Sequence, residues 1–251
     1  MMRKKTMRGL GGVATFAGLL SIIGGCAHPL WAGQVSGHVT VVGANGSVRP
    51  PREASVVLWL TPLGPESAPR SGAPGPSPQA RLVQRNKTFE PHTVAVQVGS
   101  LVSFPNRDPF FHNVFSLFDG KRFDLGLYEA GSTRSVRFDR AGICYIFCNI
   151  HPQMSAVVVV VDTPYFAVSD DKGGVVIPRV PPGRYELNAW EEHCTAETLK
   201  HLSREISVTE DSLALGTVEM RQSREPATAH LNKYGRQYDP PVFSSPIYVQ
   251  P

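Results

Sequence analysis

Glycine and proline set the first limit on what this chain can fold into. There are 23 Gly and 22 Pro in 251 residues, and both interrupt helices, glycine through backbone entropy and proline through its missing N–H. They are scattered without a three-residue period, so a collagen-like repeat is excluded along with a helical bundle. Short strands joined by tight turns remain. Apolar residues make up 41% of the chain and charged residues 18%, enough to bury a core over most of its length.

A formal net charge of +4 points towards nucleic acid only until it is located. Arg3, Lys4, Lys5 and Arg8 all lie in the first 25 residues, which hold no acid. Without that segment the chain is neutral, and no basic face is left to displace counterions from a phosphate backbone. The basic start precedes an apolar run from Leu10 to Ile23 and then Gly24-Gly25-Cys26, the order of a secretory signal. The run is shorter than the roughly 20 residues of a bilayer-spanning helix. Ile23-Gly24-Gly25-Cys26 resembles a bacterial lipobox, which implies lipidation of Cys26 and a membrane anchor; cleavage after Ala32 is the alternative and gives a freely secreted chain. Either cut places the protein in the periplasm or cell envelope. Cys144, Cys148 and Cys194 then remain, and an odd count in an oxidising compartment gives at least one thiol a task other than a disulfide.

Strand patterns divide the rest of the chain. Residues 34–41 alternate with period two, 54–60 form a denser buried run, and Gly43-Ala44-Asn45-Gly46 supplies a turn between them. Residues 62–79 are rich in Pro, Gly and Ser and read as an extended linker. Seven strand signals follow over 80–162 at the spacing of an antiparallel sandwich: 81–89, 93–98, 101–104, 112–117, 135–138, 143–148 and 155–161. Val157–Val161 is apolar at consecutive positions, as in a strand covered on both faces. Residues 163–221 read as a second β unit with a short helix over 195–204, and 222–251 as a disordered tail. The fold class is all-β.

Two segments carry chemistry. Asn106-Arg107-Asp108-Pro109-Phe110-Phe111-His112-Asn113 opens one strand, and Cys148-Asn149-Ile150-His151-Pro152-Gln153-Met154 leaves another. His112, Cys148, His151 and Met154 offer two imidazoles, a thiolate and a thioether, the His₂Cys set with a weak axial Met that suits copper. Steps of three let one tight loop present Cys148, His151 and Met154 around a point, and His112 comes from a separate strand. A lone Cys or Met is usually core filler; the joint pattern is what carries the metal. Zinc competes for Cys and His, but thioether is a poor zinc ligand. Cys144 lies four residues before Cys148 on an extended strand, about 13 Å away at roughly 3.3 Å per residue. That is too far for a shared metal or a disulfide, so it reads as core. His38, His92, His193, His201 and His230 have no ligand-spaced partner, and no Ser-His-Asp set, phosphate loop or paired carboxylates stand out. The chain does not read as an enzyme.

Residues 81–162 resemble the cupredoxins of the plastocyanin and amicyanin type. The resemblance rests on Phe89 with Pro91, Asn106 and Asp108 before the first histidine, His112-Asn113-Val114, and the Cys-x-x-His-x-x-Met loop. It implies a Greek-key sandwich holding one copper ion, with Asn113 and Asn106 as supporting residues and Asn113 tying the two ligand segments together. It also implies an envelope redox partner docking near Phe110, Phe111, Ile150 and Pro152, with a partly exposed His151 ring as electron port. A methylamine-oxidation pathway is suggested by the resemblance alone. Val180-Pro181-Pro182-Gly183-Arg184-Tyr185 through Trp190, with Gly37-His38-Val39 and Ala54-Ser55-Val56-Val57-Leu58, resembles the carboxypeptidase regulatory-like fold, a small transthyretin-like sandwich. Residues 34–61 and 163–221 are therefore expected to form one sandwich split by an inserted copper domain. Three functions follow as expectations: a one-electron carrier, a copper chaperone or sensor, or a structural envelope protein with a vestigial site.

Overall fold

A computed structural model of the chain describes residues 33–49, 55–65, 80–117, 121–223 and 231–238. The signal segment, Cys26, most of the 62–79 linker, His230 and the last residues of the tail lie outside them. No helix among the described residues is long and apolar enough to cross a membrane.

The strands are β1 (Gly33–Val42), β2 (Val48–Arg49), β3 (Val57–Pro62), β4 (Ala80–Arg81), β5 (Val83–Arg85), β6 (Thr88–Glu90), β7 (Thr93–Gln97), β8 (Ser100–Pro105) and β9 (His112–Ser116). They continue with β10 (Phe123–Tyr128), β11 (Thr133–Phe138), β12 (Gly142–Cys148), β13 (Ser155–Val161), β14 (Phe166–Val168), β15 (Gly174–Val180) and β16 (Gly183–Trp190). The one helix among the described residues, α1 (Ala196–Leu202), precedes β17 (Arg204–Val208) and β18 (Leu213–Arg221). Thr195 caps α1 by accepting the Thr198 N–H on its side chain, which satisfies an otherwise orphaned donor.

Two sheets enclose the first core. One runs β15-β1-β18 with β2 on β1, the other β14-β3-β16-β17. Alternation along β1 and β3 turns Val35, Val39, Val41, Leu58 and Leu60 inward, against Ile177, Tyr185, Leu187 and Met220. Among the described residues β1 and β3 pair only with β2, β14, β15, β16 and β18, never with the strands between. The turn into β15 is set by Asp170, whose carboxylate accepts the Lys172 and Gly174 N–H groups. Gly173 sits there at φ +86°, where a Cβ would come within 2.5 Å of the Val39 carbonyl oxygen, so only glycine fits.

Residues 80–161 build a second core. A five-stranded sheet, β10-β9-β12-β13-β7, faces β11-β8-β4, with the β5–β6 hairpin at the side. Leu82, Phe89, Val102, Phe104, Val114, Tyr128, Phe138, Ile146 and Met154 are buried between them. β13 explains its unbroken apolar run. Ala156, Val158 and Val160 enter this core, while Val157, Val159 and Val161 pack with Val57 and Trp190 in a separate cluster. That second cluster glues the five-stranded sheet to the outer face of β3 and β16. Both faces of β13 are dry for that reason.

The seam also holds one ion pair. His92 Nε2 lies 2.6 Å from the Glu192 carboxylate, which raises the imidazole pKa above its ordinary 6.5 and lowers that of Glu192. The histidine part of this stabilisation is complete below pH 6.5 and fades as the pH rises through the raised value; the glutamate part is lost as pH falls below 4.5. Glu192→Gln is expected to lower the His92 pKa measured by NMR titration. An unmoved titration contradicts the pair.

The structure departs from the sequence expectations in several places. The 81–89 signal is three short strands, because Asn86 and Lys87 both take positive φ (53° and 57°) and fold the chain into a hairpin. β10 and β18 were not expected. Each contains a glycine at positive φ, Gly126 and Gly216, with a register shift opposite it, and such bulges break the period-two signature. The 222–251 tail is not structureless throughout: residues 231–238 carry defined turns and dock on the chain, as described below.

Candidate metal centre

β9 and β12 are neighbours, with Cys148 opposite Val114 in the ladder. His112 opens β9 and Cys148 closes β12, so the pairing sets their side chains close together. The loop after Cys148 is pulled tight by two backbone bonds, Cys148 N–H to the Met154 carbonyl at 3.2 Å and Met154 N–H to the His151 carbonyl at 3.0 Å. His151 is thereby turned back onto the thiol. The result is a buried group in which one nitrogen each of His112 and His151 and the sulfur of Cys148 lie within 4.8 Å of one another.

The distances suit an ion. Cys148 Sγ is 3.6 Å from His112 Nδ1 and 3.6 Å from His151 Nδ1. Metal–sulfur and metal–nitrogen bonds of about 2.3 and 2.0 Å give an N···S edge of about 3.5 Å at a tetrahedral angle and about 3.7 Å at a trigonal one. One thiol proton can serve only one of two equidistant imidazole lone pairs, whereas a cation serves all three donors. Met154 is fully buried in the same core, and its backbone closes the loop.

His112 is oriented by a residue whose role the sequence left unassigned. Its Nε2 donates to Asp108 Oδ2 at 2.8 Å, which fixes the tautomer and leaves Nδ1 bare towards the thiol. Asp108 is itself held, accepting the Asn86 N–H at 2.6 Å and the Lys87 N–H at 3.0 Å. The β5–β6 turn therefore reaches the ligand through one carboxylate. An acid four residues before a ligand histidine in a tight loop was the available signal. Asn106 supports the same loop, donating to the Phe110 carbonyl at 2.8 Å and accepting the Asp108 N–H at 3.0 Å.

Asn113 divides its contacts between side chain and backbone. Its side-chain amide donates to Asp124 Oδ1 on β10 at 2.6 Å, because the bulge in β10 brings that carboxylate alongside. The link to the other ligand segment is made by backbone: the N–H groups of Asn113, Ile150 and His151 act on the Cys148 thiol. Phe110 is half-buried over the site. Its ring packs on both imidazoles, with centroids 5.3 Å from His112 and 5.6 Å from His151, and the Lys87 ammonium sits over the ring 5.4 Å from its centroid. Ile150 is half-buried against the core, leaving Phe111 and Pro152 exposed. His151 is only 8% exposed, so the expected open imidazole edge is nearly closed. Cys144 is fully buried, 3.3 Å from Ser116 Oγ, and outside the donor group. No disulfide joins the cysteines among the described residues.

Burial governs the ionisation of the donors. It pushes His112 below its ordinary value against the opposing pull of Asp108. His151 is pushed down to about 4, first by burial and then by His112 and Lys87. The Cys148 thiol is pushed up by burial, with the three backbone N–H groups opposing. At neutral pH both imidazoles are thus unprotonated, and binding of a metal would release the thiol proton. In the metal-free chain the unfolded state binds a proton at His151 near pH 6.5 while the folded state does so only near 4. Stability therefore falls as the pH drops across that window, by up to about 3 kcal/mol from this group. Denaturant unfolding of metal-free protein should show that slope, reduced in His151→Gln; an unchanged slope contradicts a buried neutral ring.

No protein-family model matches the chain, and no curated protein matches it. Among solved structures it is similar to a purple cupredoxin from Nitrosopumilus maritimus, at 22% identity over 33% of this chain and 100% of that one, TM-score 0.31. It is similar to a reduced tryptophan-to-tyrosine variant of amicyanin at 22% identity over 41% of this chain and 98% of that one, TM-score 0.32. A third similarity is to the copper-containing nitrite reductase of Thermus scotoductus SA-01, at 23% identity over 41% of this chain and 28% of that one, TM-score 0.33. None of the three extends to most of the chain, and the chemistry of the site stands on its own donor atoms.

Proposed function

We propose that the chain is a mononuclear, type 1 copper protein of the cell envelope that carries single electrons, in which His112, Cys148 and His151 would hold one ion and the Met154 thioether would be a further donor. The observation that carries this reading is the buried triangle of two imidazole nitrogens and one sulfur, with the His112 tautomer already set by Asp108. Soft sulfur beside imidazole suits copper in both its oxidation states. Copper supplies the one-electron couple when bound. The chain supplies rigidity: His112 and Cys148 stand on paired strands, and a donor set fixed by a sheet moves little between oxidation states. Near-complete burial of His151 and its cover by Phe110 favour retention of the ion over delivery to an acceptor.

The remaining assignments belong to the same proposal. A signal at 1–25 and lipidation of Cys26 would tether the copper domain to the membrane. The sandwich formed by 33–62 and 166–221, related by motif to the carboxypeptidase regulatory-like fold, would serve as its scaffold, with the copper domain inserted. Phe111 and Pro152 are the exposed apolar residues beside the ligands and the expected docking point for a redox partner. Phe111→Asp should slow electron exchange with that partner while leaving the copper spectrum intact; unchanged exchange removes the docking role.

Copper(II) added to the purified chain tests the reading. One equivalent should give an intense thiolate-to-copper absorption and a spin-resonance spectrum with narrow hyperfine splitting. Absence of both overturns it, and a seven-line spectrum indicates a binuclear centre instead.

A further inference from the structure

Residues 231–238 lie outside both sandwiches in sequence, yet they touch the start of the loop after Cys148 and the strand β10 that pairs with the His112 strand. The Tyr238 hydroxyl donates to the carbonyl oxygen of Cys148 at 2.9 Å. The Lys233 N–H donates to Asn149 Oδ1 at 2.9 Å, so the two residues at the start of the ligand loop are held from outside. The Lys233 ammonium reaches β10, which pairs with the His112 strand, donating to Asp124 Oδ2 at 2.8 Å. The remaining oxygen of that carboxylate accepts the Asn113 amide at 2.6 Å, and Asn113 follows His112 directly. Asn232 gives the segment its own shape, its side-chain oxygen accepting the Tyr234 and Arg236 N–H groups at 3.0 Å each.

We propose that residues 231–238 form a strap that clamps the ligand loop to the His112 strand, with Tyr238 and Lys233 as positioning residues for the metal donors. The copper consequence rests on the reading above; the clamp itself does not. Tyr238 acts on the backbone of Cys148, which sets the direction of the thiol. Lys233 acts through Asp124 on the strand opposite. Cys148 is then held through both of its flanking peptides, its N–H on the Met154 carbonyl and its own carbonyl under the Tyr238 hydroxyl, which restricts the swing of the sulfur.

The test uses the full chain, Tyr238→Phe, Lys233→Met, Lys233→Arg, and a chain ending at residue 230. In metal-free protein, amide hydrogen exchange at Ile150 and His151 should rise about tenfold in Tyr238→Phe and Lys233→Met, more in the shortened chain, while exchange in β1 and β3 stays put. Lys233→Arg should restore the wild-type rate by keeping a cation on Asp124. In copper-loaded protein the same variants should lose copper(I) to a chelator faster by a similar factor. Wild-type exchange at Ile150 and His151 in the shortened chain overturns the strap. A wild-type chain that takes up no copper overturns the copper reading instead, and the exchange measurement then decides the strap by itself.

Discussion

Cys148→Ser is expected to abolish the intense visible absorption of the copper-loaded protein. That band requires a thiolate bonded to copper, and serine offers a hard oxygen that holds its proton at neutral pH. Copper(I) retention should fall by more than about 100-fold, the upper end for a residue that only supports a ligand. The fold should survive. Cys148 is fully buried, serine is close to it in volume, and three backbone N–H groups already act on the sulfur position and would serve a hydroxyl oxygen. Little of the penalty for a stranded buried polar group therefore arises. Cys144→Ser is the control, since that thiol contacts Ser116 and the Lys121 carbonyl rather than an imidazole. A band that survives Cys148→Ser and disappears in Cys144→Ser would put the metal on the other sulfur.

Asp108→Asn should produce the next largest change. The carboxylate, 5% exposed, accepts three hydrogen bonds, from His112 Nε2 and from the Asn86 and Lys87 N–H groups. Its pKa is held low by the backbone and imidazole donors against the opposing cost of burial, so it is ionised at neutral pH. An amide replaces one acceptor oxygen with a donor, which faces either the ring N–H or a backbone N–H. Copper(II) affinity should drop by about 10- to 100-fold, as for other carboxylate partners of ligand histidines. The lost negative charge matters more to copper(II) than to copper(I), so the reduction potential should rise, by about 59 mV for each tenfold difference between the two. Potentiometry on the intact variant measures this. A fall in potential, or none, would mean that Asp108 supports the loop without acting on the metal through His112.

The grouping of His112, Cys148 and His151 was legible because metal chemistry needs particular residue types, and a tight loop places them at fixed separations. Cys148, His151 and Met154 stand three apart, and His112 opens a strand whose partner carries the cysteine. The double-sided apolar run of Val157–Val161 gave away a strand buried on both faces, though not that its second face is the seam with β3 and β16. What the sequence hid falls into two kinds. Bulges at Gly126 and Gly216 erased the alternation of β10 and β18, and with β10 went the position of Asp124. Supporting contacts made through backbone groups or single hydrogen bonds left no pattern. The Asn113 N–H on the thiol, the Tyr238 hydroxyl on the Cys148 carbonyl and the Lys87 ammonium over Phe110 all depend on tertiary placement, and none has a spacing signature. The packing of Phe110 on both imidazoles was illegible for the same reason, since aromatic character beside a histidine has no spacing that tells cover from contact surface.

X-ray absorption at the copper edge of the loaded, full-length chain addresses the three-donor site itself. One sulfur and two imidazole nitrogens in the inner shell is the predicted result, with the sulfur contribution gone in Cys148→Ser and one imidazole gone in His112→Ala. An inner shell of oxygen and nitrogen alone, unaltered by either substitution, would mean that copper binds elsewhere and that the buried triangle has another purpose.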